Sequence, residues 1–150
     1  MKNKTRVFLA VVMAVVMLWS TSFSVYAGAA ETGISPRLDN CNGASMSFAV
    51  IDPGVADFIV SYEGNATTFV HAKLTVTFEK RVLGLFWRTV DIGTTNNEWV
   101  AFNDDLLGDF YDFVTMDGAG TYRANFKLEI LGIDGSIDVI EESIDCRYSG

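Results

Sequence analysis

From Ser45 onward the chain alternates apolar and polar side chains, and the alternation restarts after each turn signal. Met46, Phe48 and Val50 alternate with Ser45, Ser47 and Ala49, and Asp52-Pro53-Gly54 ends that run with turn chemistry. Ala56, Phe58, Val60 and Tyr62 form the next apolar row, closed by Glu63-Gly64-Asn65. Val70, Ala72, Leu74, Val76 and Phe78 then share one face, and His71, Lys73, Thr75, Thr77 and Glu79 the other. A period of two places one row of a strand on a core and the other in water. Leu83-Gly84-Leu85 reads as a hairpin tip that returns through residues 86–90, with short strands at 99–102 and 109–116. The cleanest alternation sets Tyr122, Ala124, Phe126, Leu128 and Ile130 against Arg123, Asn125, Lys127 and Glu129. After the turn Gly132-Ile133-Asp134-Gly135, residues 136–146 change apolar parity between Val139 and Ile144, which predicts a bulge or an edge position.

This pattern predicts seven to eight short strands and no amphipathic helix. Sheet on sheet is the economical way to bury such faces, so the expected fold is an all-β antiparallel sandwich, with a small closed barrel as the alternative. The acidic, glycine-rich turn at 117–120 followed by Thr121-Tyr122-Arg123-Ala124 resembles the tyrosine corner of immunoglobulin-like sandwiches. In those folds a tyrosine near the start of a late strand bonds back to the preceding turn. The resemblance implies an immunoglobulin-like sandwich with Tyr122 in that structural role, and makes Trp87 the candidate for its buried tryptophan. The chain departs from antibody domains in having Ala124 where their second core cysteine stands.

Residues before the strands carry different information. Lys2, Lys4 and Arg6 precede an apolar run at 7–19 and a small, polar stretch ending in Val25-Tyr26-Ala27. That run is shorter than the ~20 residues a membrane span needs and suits a signal peptide. The expected organisation is a cleaved signal peptide at 1–27, a flexible lead-in at 28–40 containing Pro36, and one domain at 41–150. No second apolar run and no wall-sorting tail follow, so the mature chain is expected to be secreted, without a transmembrane segment.

Removing the signal peptide changes the charge. It holds three of the 11 Lys and Arg and none of the 19 Asp and Glu, leaving eight against nineteen, or −11. Such a surface argues against nucleic acid and against simple attraction to anionic lipid. Two cysteines, Cys41 and Cys146, lie near the ends of the mature chain. In an exported protein a disulfide between them is expected, closing a long loop worth roughly 4–5 kcal/mol by the chain-entropy model.

At a finer level, the Glu79-Lys80-Arg81…Phe86-Trp87 hairpin and the Gly120-Thr121-Tyr122-Arg123 strand resemble a group of small secreted proteins of Gram-positive bacteria. The resemblance implies a signal peptide, a compact β domain and an extracellular, bacterial location, and it implies no activity.

Three sets of residues carry candidate chemistry. His71, the single histidine, sits on a polar strand face beside Lys73, and neither Ser47 nor Ser61 lies on the strained glycine turn that nucleophilic catalysis uses. No carboxylate pair is singled out by an apolar neighbourhood, so an enzyme is not expected. Asp104, Asp105, Asp109 and Asp117, with Asn103 and Asp112 nearby, offer hard oxygens for calcium, set against the reading that acidic turns are simply solvated. Leu83, Leu85, Phe86 and Trp87 form the third set. Phe86 and Trp87 alternate in face, so only one of them can enter the core, and the tip is either an exposed contact patch or a cap on the sandwich. The expected function is a secreted, disulfide-closed binding module without cofactor, whose partner is a protein or an envelope component. The alternatives are an exported enzyme inhibitor, a structural envelope protein, or a membrane-active protein using the 83–87 hairpin.

Overall fold

The computed structural model describes residues 38–52 and 54–149. The expected signal peptide and the 28–37 part of the lead-in lie outside the described residues. The eight strands are β1 (Cys41–Asp52), β2 (Val55–Gly64), β3 (Phe69–Val82), β4 (Phe86–Thr89), β5 (Glu98–Asn103), β6 (Leu107–Thr115), β7 (Gly120–Gly132) and β8 (Ile137–Tyr148). One short 3-10 turn, Thr95–Asn97, precedes β5.

The strands form two antiparallel sheets. One has the order β1-β2-β6, and the other β4-β3-β7-β8 with β5 also paired to β3. β4 meets β3 at Glu79 to Val82, β5 meets it at Ala72 to Thr77, and β7 takes its other edge. Strands one, two and six opposing three, seven and eight is the order of an immunoglobulin-like sandwich. The chain is an all-β sandwich of this kind.

Alternation explains the packing. Phe58 and Val60 of β2, Leu74, Val76 and Phe78 of β3, and Phe126, Leu128 and Ile130 of β7 are fully or almost fully buried between the sheets. Phe58 bridges the layers, with ring centroids 5.9 Å from Phe78, 6.2 Å from Phe126 and 4.9 Å from Trp99. The Tyr122 hydroxyl lies 2.7 Å from the carbonyl oxygen of Asp117 and 2.6 Å from that of Gly118, to which it donates. That bond holds the turn before β7 against the strand it feeds, the geometry of a tyrosine corner. The buried apolar residues of the core run from Cys41 to Ile144, with Leu38 and Cys146 among the partly buried residues packed against them.

Several expectations need correction. Trp87 is not the interior tryptophan. It pairs with Arg81, an outward position of β3, whereas Trp99 packs edge-on against Phe58 and donates from Nε1 to Asp112 at 2.7 Å. Val70, placed in the inward row, is 40% exposed, because the register shifts between Phe69 and His71. Phe69 turns in instead and stacks on Tyr62 at 5.9 Å. The β7–β8 register runs unbroken, so the parity slip in β8 reflects its position at the sheet edge rather than a bulge. The last residues of the lead-in are fastened. Asn40 is buried and donates from Nδ2 to Ser136 Oγ at 2.9 Å, while its backbone N–H donates to the Asp138 carboxylate at 2.6 Å.

The Cys41–Cys146 disulfide is also corrected, since both cysteines are free. β1 and β8 lie side by side and run the same way: the Cys41 N–H meets the Asp138 carboxylate at 3.1 Å, and the Val50 N–H meets Cys146 Sγ at 3.4 Å. Cys41 and Cys146 therefore sit near opposite ends of that pair. Eight strand residues from 138 to 146 separate them by on the order of 25 Å, against a Cα limit of about 7 Å for a bridge. Burial pushes the Cys41 thiol above its ordinary pKa, with the Asp138 and Glu63 charges adding to the shift. Native protein should thus react first at Cys146, and unreduced denatured protein should present two thiols. An intact mass that rises on reduction contradicts this.

Candidate binding surface

The β3–β4 hairpin is built to project. Val82 pairs with Phe86, Arg81 with Trp87, Lys80 with Arg88 and Glu79 with Thr89. The Leu85 N–H donates to the Val82 carbonyl at 3.1 Å, closing a tight turn through Leu83 and Gly84. Both central residues have positive φ, 52° at Leu83 and 70° at Gly84. Two-residue turns of this hand match the twist of the flanking strands but favour Asn-Gly. A leucine in the left-handed region costs about 1–2 kcal/mol. Leu83 recovers nothing by burial, being 86% exposed, and Leu85 and Phe86 are 74% and 65% exposed.

Neither Phe86 nor Trp87 enters the core, and the hairpin does not cap the sandwich. β7 pairs with β3 only as far as Lys80, opposite Tyr122, so the tip extends past the neighbouring strand of its own sheet, and Leu83, Leu85 and Phe86 stay exposed. Trp87 lies on the outer face instead. The Arg123 guanidinium sits 4.0 Å from its ring centroid and that of Arg81 5.9 Å away. Arg123 is held in turn by Asp145, through Nε at 2.6 Å and a second nitrogen at 3.1 Å. The hairpin base is tied to β7 and β8 by these contacts, while the tip offers its apolar atoms to solvent.

Beside the hairpin, the free edge of β6 and the segment after β4 border an open cleft of about 900 Å³. Lys80, Arg88, Trp99, Asp112 and Met116 line it. Asp112 has inward parity on this edge strand, and the Trp99 indole satisfies its carboxylate. An inward acid discourages another strand from adding to an open edge.

The four aspartates singled out as calcium ligands are not brought together. Asp109 stands opposite Ser61 near the start of β6, whereas Asp117 follows the other end of β6, so that strand separates them. Asp112, between them, is engaged by Trp99. Among the described residues, no group of three or more His, Cys, Asp and Glu is placed to hold a metal ion. Asp104, Asp105 and Asp109 gather instead around Tyr62, whose hydroxyl donates to the Asp105 carbonyl at 2.8 Å. Burial first, and then those three charges, push the Tyr62 pKa from 10.0 up to about 12. The native state keeps this proton after the unfolded chain has lost it. The associated stability is therefore intact below pH 10 and falls as the pH rises toward about 12. In an alkaline phenolate titration, Tyr62→Phe should remove a late-titrating group; an unchanged curve contradicts the assignment. His71 lies edge-on to Phe102, with ring centroids 6.2 Å apart.

No family model and no curated protein matches the chain. Among solved structures it is similar to the sporulation control protein Spo0M from Bacillus subtilis, at 9% sequence identity and a TM-score of 0.33. The match covers 71% of this chain and 50% of that one, so the chain spans about half the length of that protein. A likeness of this size carries no argument about function.

One surface was missed by sequence reasoning. On the outer face of the three-stranded sheet, Ile59 stands opposite Tyr111, and the Tyr111 and Phe113 rings meet edge-on at 4.9 Å. The signal was present: residues 110–114 are apolar on both strand faces except at Asp112, and only one face can be core.

Proposed function

We propose that this chain is an exported binding module, without catalysis of its own, that meets its partner through the tip of the β3–β4 hairpin. The observation that carries the reading is the turn itself. Leu83 holds an unfavourable backbone conformation while burying almost none of its side chain, and Leu85 and Phe86, close by in the chain, are also largely exposed. Folding gains little from three exposed apolar residues on a strained turn. A contact that buries them would gain, since each such side chain is worth about 1.5–3 kcal/mol when fully removed from water. Arg123, stacked on Trp87 and bonded to Asp145, ties the hairpin base to β7 and β8, which lowers the cost of ordering the base on contact. The partner is a protein or a component of the cell envelope.

The test is cross-linking and pull-down of the tagged mature protein from its own culture, compared with a Leu83→Asp, Leu85→Asp double variant. A reproducible partner captured by the parent and lost by a variant of unchanged circular dichroism supports the reading. Equal capture by both overturns it.

A further inference from the structure

The hairpin end of this acidic protein is where its positive charge gathers. Lys80, Arg81 and Arg88 lie on the hairpin, Arg123 stacks on Trp87, and Arg147 pairs with Thr121 at the same end of the sheet. The other two described cations, Lys73 and Lys127, stand further along the sheet and share Glu129, at 3.2 Å and 3.1 Å. Arg81, Arg88 and Arg147 make no ion pair among the described residues. Lys80 donates to the Asp117 carbonyl and lies over the Tyr122 ring, which leaves its charge uncompensated by a carboxylate bond. Asp91, Asp112 and Asp117 line the cleft beside this collar, Glu79 stands one pair below Lys80 at the hairpin base, and Asp145 is engaged by Arg123. The stretch from Lys80 to Arg88 is therefore the part of this end that carries cations and no acid.

The opposite end is acidic. Glu63, Asp104, Asp105, Asp109, Asp134 and Asp138 lie around the ends of β2 and β7 and the starts of β6 and β8, at the far end of β3. β3 has 14 residues, about 45 Å of strand. The Debye length at physiological salt is about 8 Å, so charges at the far end are screened from anything met by the tip. Net charge, which alone argues against anionic surfaces, is therefore a poor guide to what this end would bind.

We propose, resting on the reading of the hairpin as the contact element, that the hairpin end docks on an anionic lipid bilayer. Leu83, Leu85 and Phe86 enter the interfacial layer, and Lys80, Arg81, Arg88 and Arg147 meet the headgroups. An apolar tip and a basic collar supply the two terms that interfacial binding uses, apolar area and attraction to anionic lipid. The acidic far end keeps the long axis of the sandwich pointing away from the surface.

The experiment is sedimentation of the chain from residue 28, which retains the whole described core, with vesicles of phosphatidylcholine alone or mixed with phosphatidylglycerol. Binding to the mixed vesicles that weakens with salt is expected, with little on the neutral ones. Arg81→Gln and Arg88→Gln should each lower the affinity about five-fold. Leu83→Asp with Leu85→Asp should abolish binding while circular dichroism stays unchanged. Equal binding to both vesicle types, unchanged affinity in the arginine variants, or no binding to mixed vesicles overturns the inference. If vesicles are ignored while tip-dependent capture of a protein persists, the lipid inference falls and the binding reading stands. If the tip variant changes neither, both fall.

Discussion

Replacing Phe58 with alanine is expected to lower the unfolding free energy by about 3–5 kcal/mol. Phe58 is 1% exposed, and its ring meets Phe78 of β3, Trp99 of β5 and Phe126 of β7. It belongs to β2, so one side chain joins the smaller sheet to three strands of the larger. Alanine would lose the transfer free energy of the ring and leave a cavity that neighbours from two rigid sheets cannot close. A domain of this size has about 5–15 kcal/mol in total, so the loss is a large share of it. Urea unfolding of the parent and the variant measures it. Phe113→Ala, on the outer face, should change stability by under about 0.5 kcal/mol in the same assay. Similar losses at both positions would mean that Phe58 is not where the sheets meet.

The second large effect is expected at Asp138. Its carboxylate accepts the backbone N–H groups of Asn40 at 2.6 Å and Cys41 at 3.1 Å, fastening the start of β1 to β8. Asn40 and Cys41 are both buried, so water cannot easily replace the lost acceptor. Leaving a buried donor unpaired costs about 1–3 kcal/mol, so Asp138→Ala should destabilise by at least about 2 kcal/mol. Asp138→Asn keeps an acceptor oxygen and should lose less. Hydrogen exchange at amides 40 and 41 should rise first in the alanine variant. Unchanged exchange there would show that these bonds do not hold β1 in place.

The fold was legible wherever apolar and polar residues alternate cleanly. In β2, β3 and β7 the inward row is apolar and the outward row largely polar, so face and strand follow from spacing alone. Tyr122 was legible for a different reason: a glycine turn followed by a tyrosine describes a local bond that needs no distant partner. Long-range placement was not legible. The cysteine pairing was inferred from compartment and count, but a bridge depends on which ends of β1 and β8 the two residues occupy. Those strands run the same way, so residues near the two ends of the chain are carried apart. The aspartates cluster in sequence, yet the length of β6 separates Asp109 from Asp117.

The candidate site was half legible. Leu83, Leu85, Phe86 and Trp87 were recognisable as too apolar for a hairpin tip. Their exposure follows from an overhang, the stretch of β3 beyond Lys80 that β7 does not reach, and strand lengths of that kind are not written in the local pattern. The basic collar was hidden for a related reason. Net charge sums over both ends of the molecule, while Arg147 joins Arg81 and Arg88 only once β8 is laid beside β7.

The measurement that tests the hairpin tip as the contact element most directly is photo-cross-linking from position 85, in the producing culture, with mass spectrometry of the adducts. A photo-reactive residue replacing Leu85 is predicted to yield adducts with a partner, protein or lipid. The same group replacing Ser47, on the outer face of β1, should yield background only. Equal labelling from both positions, or none from position 85, would contradict the account.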